Sequence, residues 1–206
     1  MDRLPLIPLR RLAAVCLACL AALTAAMGQT LLDSVPEREL PLLRAELRRA
    51  LAERWQGGQH PALIQNDLNG TCILDSLSDT FLRLYPTGAN KLEVRTLPDG
   101  RHLLIHTVTR PALDSRLTLY DAQWQPLPSD IPEPGLDDFY EPCDTVSLDV
   151  FRTYALPYVP AYRLEGDSIV ATYSPRPYLP DEHWQRIRPA LRTAPLYIPL
   201  PGAARP

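Results

Sequence analysis

Between residues 64 and 127 the chain turns back on itself at short intervals, and this restricts the fold more than any other feature. Asn69-Gly70, Pro86-Thr87-Gly88, Pro98-Asp99-Gly100 and Pro111-Ala112-Leu113-Asp114 punctuate runs in which apolar and polar residues alternate. Runs this short, joined by residues that favour tight turns, pair with their sequence neighbours and form antiparallel hairpins. Strands are expected at 71–77, 81–85, 91–97, 102–109 and 116–121. In the third, Leu92 and Val94 fall on one face and Lys91, Glu93 and Arg95 on the other. That alternation predicts one sheet face on a core and the other in water.

A helix precedes the meander. Leu43, Leu47, Leu51 and Trp55 recur every four residues, with Arg44, Arg48, Arg49 and Arg54 mostly off that stripe. This is the pattern of an amphipathic helix lying on a core. Ser34 and Glu37 have capping-box spacing, Pro41 is expected to break or kink the start, and Gly57-Gly58 supplies the stop. After the meander, residues 125–158 are rich in Pro and acid and carry no Lys or Arg before Arg152, which predicts a long acidic loop with a short helix near 148–154. A second hairpin is expected over 162–165 and 168–173 around Gly166-Asp167, then a helix over 181–191 and an edge strand over 195–200. The fold class is therefore α+β: an N-terminal amphipathic helix packed on a twisted antiparallel β-meander, then a long acidic loop, a second hairpin and a C-terminal helix.

The N-terminus predicts the compartment. Arg3, Arg10 and Arg11 form a positive segment, an uncharged apolar run follows from Leu12 to Ala26, and Ala26 and Gly28 lie ahead of a cut before Gln29. That is the layout of a cleavable signal peptide over residues 1–28, with an apolar segment shorter than the roughly 20 residues a spanning helix needs. Residues 29–200 are expected to form one α+β domain and 201–206 a disordered tail. No second long apolar segment follows, so no membrane span is expected in the mature chain, which is placed in the periplasm, at the cell surface or secreted.

Removing residues 1–28 takes the net charge from −3 to −5. An acidic chain without a basic stripe argues against a nucleic-acid partner. Two cysteines, Cys72 and Cys143, survive cleavage. In an oxidising compartment they either pair, adding about 4 kcal/mol on the chain-entropy model, or stay as free thiols.

The candidates for chemistry are sparse. His102 and His106 would share a helix face, but on a strand they lie roughly 13 Å apart at about 3.3 Å per residue, too far to hold one metal ion. His60 and His183 have no ligand-spaced neighbours. The acidic loop offers Asp130, Glu133, Asp137, Asp138, Glu141, Asp144 and Asp149, but without the alternation and glycine turn of a calcium loop. Nucleophile-elbow, Walker and dinucleotide-binding motifs are absent, and no cofactor or metal is expected. Phe139 and Tyr140 beside Asp137-Asp138 make the favoured contact surface; Trp124 is expected to fold over a strand turn onto the core, or, if exposed, to add a ligand platform to that surface.

The order of motifs resembles a family of secreted Bacteroidetes proteins known as domain of unknown function 3256. The resemblance is carried by Asn66-Asp67-Leu68-Asn69-Gly70, by Leu77-Ser78-Asp79-Thr80-Phe81-Leu82-Arg83-Leu84 and by Asp114-Ser115-Arg116. It continues through Tyr120-Asp121-Ala122-Gln123-Trp124-Gln125-Pro126-Leu127-Pro128, Leu136-Asp137-Asp138-Phe139 and Tyr178-Leu179. It implies an exported Gram-negative protein and carries no activity or catalytic residue. Within that lineage, Asp33-Ser34-Val35, Asp75-Ser76-Leu77, Asp144-Thr145-Val146 and Asp167-Ser168-Ile169 look like O-glycosylation triplets, although as capping and turn residues they need no sugar.

Three functional readings follow. The first is an exported non-catalytic module that binds a protein or glycan through Asp137, Asp138, Phe139, Tyr140 and Trp124. The second is an envelope hydrolase that pairs those carboxylates with a histidine. The third is an inhibitor or assembly factor that offers a sheet edge to a partner strand.

Overall fold

The computed structural model describes residues 30–202. The export signal expected at 1–28 lies outside these residues, as does the expected tail apart from Pro201 and Gly202. The described elements belong to a compact unit that opens at Leu31.

Seven consecutive strands form one antiparallel sheet in sequence order: β1 (Ala62–Gln65), β2 (Thr71–Leu77), β3 (Phe81–Thr87), β4 (Asn90–Thr96), β5 (His102–Val108), β6 (Asp114–Tyr120) and β7 (Pro126–Leu127). The meander follows from its turns, each of which closes before a non-neighbour can pair. Two strands exceed the expectation. β1 is only four residues long, and β7 has only two, paired with the end of β6.

Two short helices lie on one face of this sheet, α1 (Leu31–Ser34) and α2 (Ala45–Gln56). The expected capping box is not formed: the Ser34 hydroxyl donates back to the Leu31 carbonyl at 2.8 Å, and α2 starts only after Arg44. Gly58, at φ +85°, takes the left-handed turn beyond the helix end. Leu32, Leu43 and Leu51 pack there against Leu74, Leu82, Leu92 and Val94, all essentially without exposed surface. Each such leucine contributes roughly 1.5–3 kcal/mol through burial.

Arg48 is an exception to the expected polar face of α2. It is buried, and its guanidinium donates to the Leu43 carbonyl at 2.7 Å and to the Val35 carbonyl. It ties the segment between α1 and α2 to the helix. Burial lowers the affinity of this guanidinium for its proton, against the pull of Glu37 and Asp33.

The opposite sheet face is not the solvent face the alternation predicted. A three-stranded antiparallel sheet in the order β10-β9-β8 lies across it, with β8 (Pro160–Glu165) against β4, β5 and β6, followed outward by β9 (Ser168–Tyr173) and β10 (Leu196–Pro199). Leu103, Ile105 and Leu119 join Phe139, Phe151, Leu164, Ile169 and Ile187 in a second hydrophobic cluster between the layers. The Ser115 hydroxyl accepts from the Tyr162 backbone N–H at 2.9 Å and meets Thr107 Oγ1 at 2.8 Å, so a side chain of β6 occupies the inner edge of β8. Two further helices, α3 (Leu148–Tyr154) and α4 (Asp181–Ile187), pack together at this side.

Glu93 belongs to the same face and has no exposed surface. Its carboxylate receives Arg83 Nε at 2.9 Å and Lys91 Nζ at 2.8 Å, and Arg83 also reaches Asp75 at 3.4 Å. Neutralisation by Arg83 across the ladder and by Lys91 two residues back along β4 is what allows a charge inside the fold.

Candidate functional site

The residues singled out from sequence are dispersed. Trp124, at φ +60°, is buried with the N-terminal layer, where its ring stacks on His102 at 4.4 Å and lies 5.4 Å from Tyr120. Phe139 is buried in the other cluster, 5.6 Å from Tyr173 and 6.1 Å from Tyr158. The sheet separates the two. Tyr140 is half-buried, with its hydroxyl donating to the Val146 carbonyl at 2.8 Å.

Asp137 and Asp138 are spent on local structure. Asp137 is gripped side-on by Arg152, at 2.9 Å from Nε and 2.5 Å from Nη2, and this hydrogen bonding holds its carboxyl below the usual range. Asp138 accepts from the Gly135 backbone N–H at 2.8 Å. An ionised, paired Asp137 is poorly suited to donate a proton. Burial lowers the pKa of His102, which contacts Thr96 Oγ1 at 3.1 Å rather than a carboxylate. Among the described residues no group of three His, Cys, Asp or Glu side chains is placed to hold a metal ion.

The two thiols are free and belong to different hydrophobic clusters. Cys72 is buried beneath the N-terminal layer, which pushes its thiol up to about 12. Cys143 is half-buried in the loop, with Thr145 Oγ1 at 3.5 Å, and this contact holds its thiol below the usual value.

The feature that sequence reasoning passed over is the open side of β1. There a groove of about 750 Å³ runs between α2 and the strand, with Arg44, Leu47 and Arg54 on one wall and Leu63 and Gln65 on the other. Its end is closed by the loop between β1 and β2. Asn66 organises that loop: its side-chain oxygen accepts from the Leu68 and Gly70 N–H groups at 3.0 and 2.9 Å, while its Nδ2 donates to the Pro86 carbonyl at 2.8 Å. Asn69 takes the left-handed conformation at φ +60°, which asparagine tolerates. A Cβ on Gly70 would lie 3.2 Å from Asn66 Nδ2. The loop is held from outside by Arg44, which contacts Asp67 at 2.8 Å.

The register decides which backbone groups face the groove. The Asn66 N–H donates to the Gly70 carbonyl at 2.8 Å. In an antiparallel ladder such pairs alternate, so Ile64↔Cys72 and Ala62↔Leu74 are the hydrogen-bonded pairs. Leu63 and Gln65 therefore direct their N–H and C=O groups away from β2. Consistent with this, Arg54 Nη1 reaches over from α2 and donates to the Leu63 carbonyl at 2.5 Å. The side chains of Leu63 and Leu68 are 43% and 72% exposed beside this edge. The short run Ala62-Leu63-Ile64-Gln65 before an Asn-Gly turn was the available signal.

A family model described as "Protein of unknown function (DUF3256)" matches residues 20–198. No curated protein matches the chain. A solved structure described as a domain of an uncharacterized protein from Porphyromonas gingivalis W83 aligns with a TM-score of 0.66 at 25% identity, covering 80% of this chain and 90% of that one. No helix among the described residues is long and apolar enough to cross a membrane.

Proposed function

The chain belongs to the family described as protein of unknown function DUF3256, and from that footing we propose that it is an exported, non-catalytic module that binds an extended protein segment along the open edge of β1. The observation that supports this reading is the coincidence of outward-facing backbone groups at Leu63 and Gln65, the Leu63 carbonyl already accepting from Arg54, with exposed apolar side chains and a groove of about 750 Å³. Natural sheets usually protect such edges, because an open edge is a template for another chain. An added strand would gain backbone hydrogen bonds along β1, place alternate side chains against Leu47 and Leu63, and meet Arg44 and Arg54 at the wall. The signal-peptide layout expected at residues 1–28 supports the reading of an exported chain, whose partner would be met in the envelope or outside the cell.

The test is a selection of displayed random peptides on the mature chain, followed by the Leu63→Pro variant. Proline removes the outward N–H without touching the β1–β2 ladder, since it is tolerated where that group faces away from the sheet. Selected peptides should protect the Leu63 and Gln65 amides from exchange and bind the variant at least about fivefold more weakly, the effect of one lost backbone hydrogen bond. Equal binding to the parent and to Leu63→Pro overturns the proposal.

A further inference from the structure

A separate cavity of about 330 Å³ opens where the end of β9 meets the segment between α4 and β10. Tyr173, Trp184 and Leu191 give it apolar walls, Ser174 and Thr193 contribute hydroxyls, and its charged lining residues are Arg176 and Arg192, with no Asp or Glu. Arg176 is already committed. It donates to the Leu179 carbonyl at 3.2 Å and to Asp181, and its guanidinium lies 5.9 Å from the centre of the Trp184 ring.

Arg192 differs. Its backbone N–H is fixed to the Phe139 carbonyl at 2.9 Å, which pins the residue at the cavity. Its Nε is buried and has no hydrogen-bond acceptor among the described residues. A guanidinium keeps its proton in a protein, so this donor cannot be relieved by titration, and buried donors in folded proteins are nearly always matched. Arg192 lines a cavity without acidic side chains, and the group that best matches a guanidinium is a carboxylate.

We propose that this cavity binds a carboxylate carried on an apolar body, with the carboxylate on Arg192 and the body against Trp184 and Leu191. Two sources share that chemistry: the C-terminal residue of a polypeptide and a free organic acid. The site is independent of the β1 edge and stands whether or not that edge binds a strand.

Calorimetric titration of the chain with N-acetylphenylalanine, with its amide and with phenylacetate tests the idea. Both acids should bind in the millimolar range or below, and the amide at least about tenfold more weakly, as the loss of one charge-assisted hydrogen bond implies. Arg192→Gln should weaken both acids by the same order and Arg192→Lys by less. Ala194→Phe, at an exposed rim position, should block uptake while leaving Arg192 in place. Tighter binding of N-acetylphenylalanine than of phenylacetate identifies a chain terminus, and equal binding identifies a small acid. An amide that binds as well as its acid, an unaffected Arg192→Gln or Ala194→Phe variant, or no heat from either acid overturns the proposal.

Discussion

Replacing Glu93 by glutamine is the most informative perturbation of the fold. The substitution keeps the side chain's shape and removes one charge from a site without exposed surface, leaving Arg83 and Lys91 facing a neutral amide. Breaking a buried ion pair by neutralising one partner costs about 3–5 kcal/mol, most of it from the charge left behind. Here the discount is legible. The Arg83 and Lys91 side chains retain 29% and 15% exposure, and Arg83 keeps Asp75 at 3.4 Å. The expected loss therefore sits at the lower end, about 3 kcal/mol. For a domain of this size that lowers the melting temperature by roughly 6–12 °C. Thermal and urea denaturation followed by circular dichroism measure it. A triple variant, Arg83→Leu, Lys91→Met and Glu93→Leu, should recover most of the loss, because replacing a whole buried ion cluster by apolar groups is close to neutral. If Glu93→Gln costs less than about 1 kcal/mol, a value ordinary for a surface pair, the carboxylate is not held as a buried charge and the reasoning fails.

Two further outcomes follow from buried polar groups. Arg48→Met should cost about 2–4 kcal/mol, since the Val35 and Leu43 carbonyls both lose a charged donor, and amide exchange over residues 31–43 should accelerate more than in the strands. Stability should also fall as pH rises above about 10. Burial pushes Tyr120 and Tyr158 up to about 12 and raises Tyr162 and Tyr173 as well. The unfolded chain then releases these phenolic protons first, so the stabilisation present below about pH 10 is lost progressively towards the folded values. Denaturation midpoints between neutral and strongly alkaline pH check this, and a flat profile contradicts the burial of these hydroxyls.

What could be read in advance was local. Gly166-Asp167 between two alternating runs dictates a hairpin, and β8 and β9 form around that turn. The stripe of Leu47 and Leu51 likewise reports a helix face. Charged residues were harder, because residue type alone assigns Arg48 and Glu93 to water. Their burial depends on partners brought close by folding: carbonyls at Val35 and Leu43 for one, Arg83 across the ladder and Lys91 on the same strand for the other. The second layer over β4–β6 was equally hidden, since an alternating strand looks the same whether its far face meets solvent or another sheet. The edge at β1 escaped notice because four residues after Pro61 carry too little alternation to register as a strand.

The central sheet has a core on each side, and this bears on how the gene can change length. Along β5, Leu104 serves one core while Leu103 and Ile105 serve the other, so deleting or adding a single codon there would exchange the two sets and spoil both at once. Length changes in this family should therefore collect in the links between strands, and the turns ahead of β4 and β9 are the places where the reading of both cores survives them.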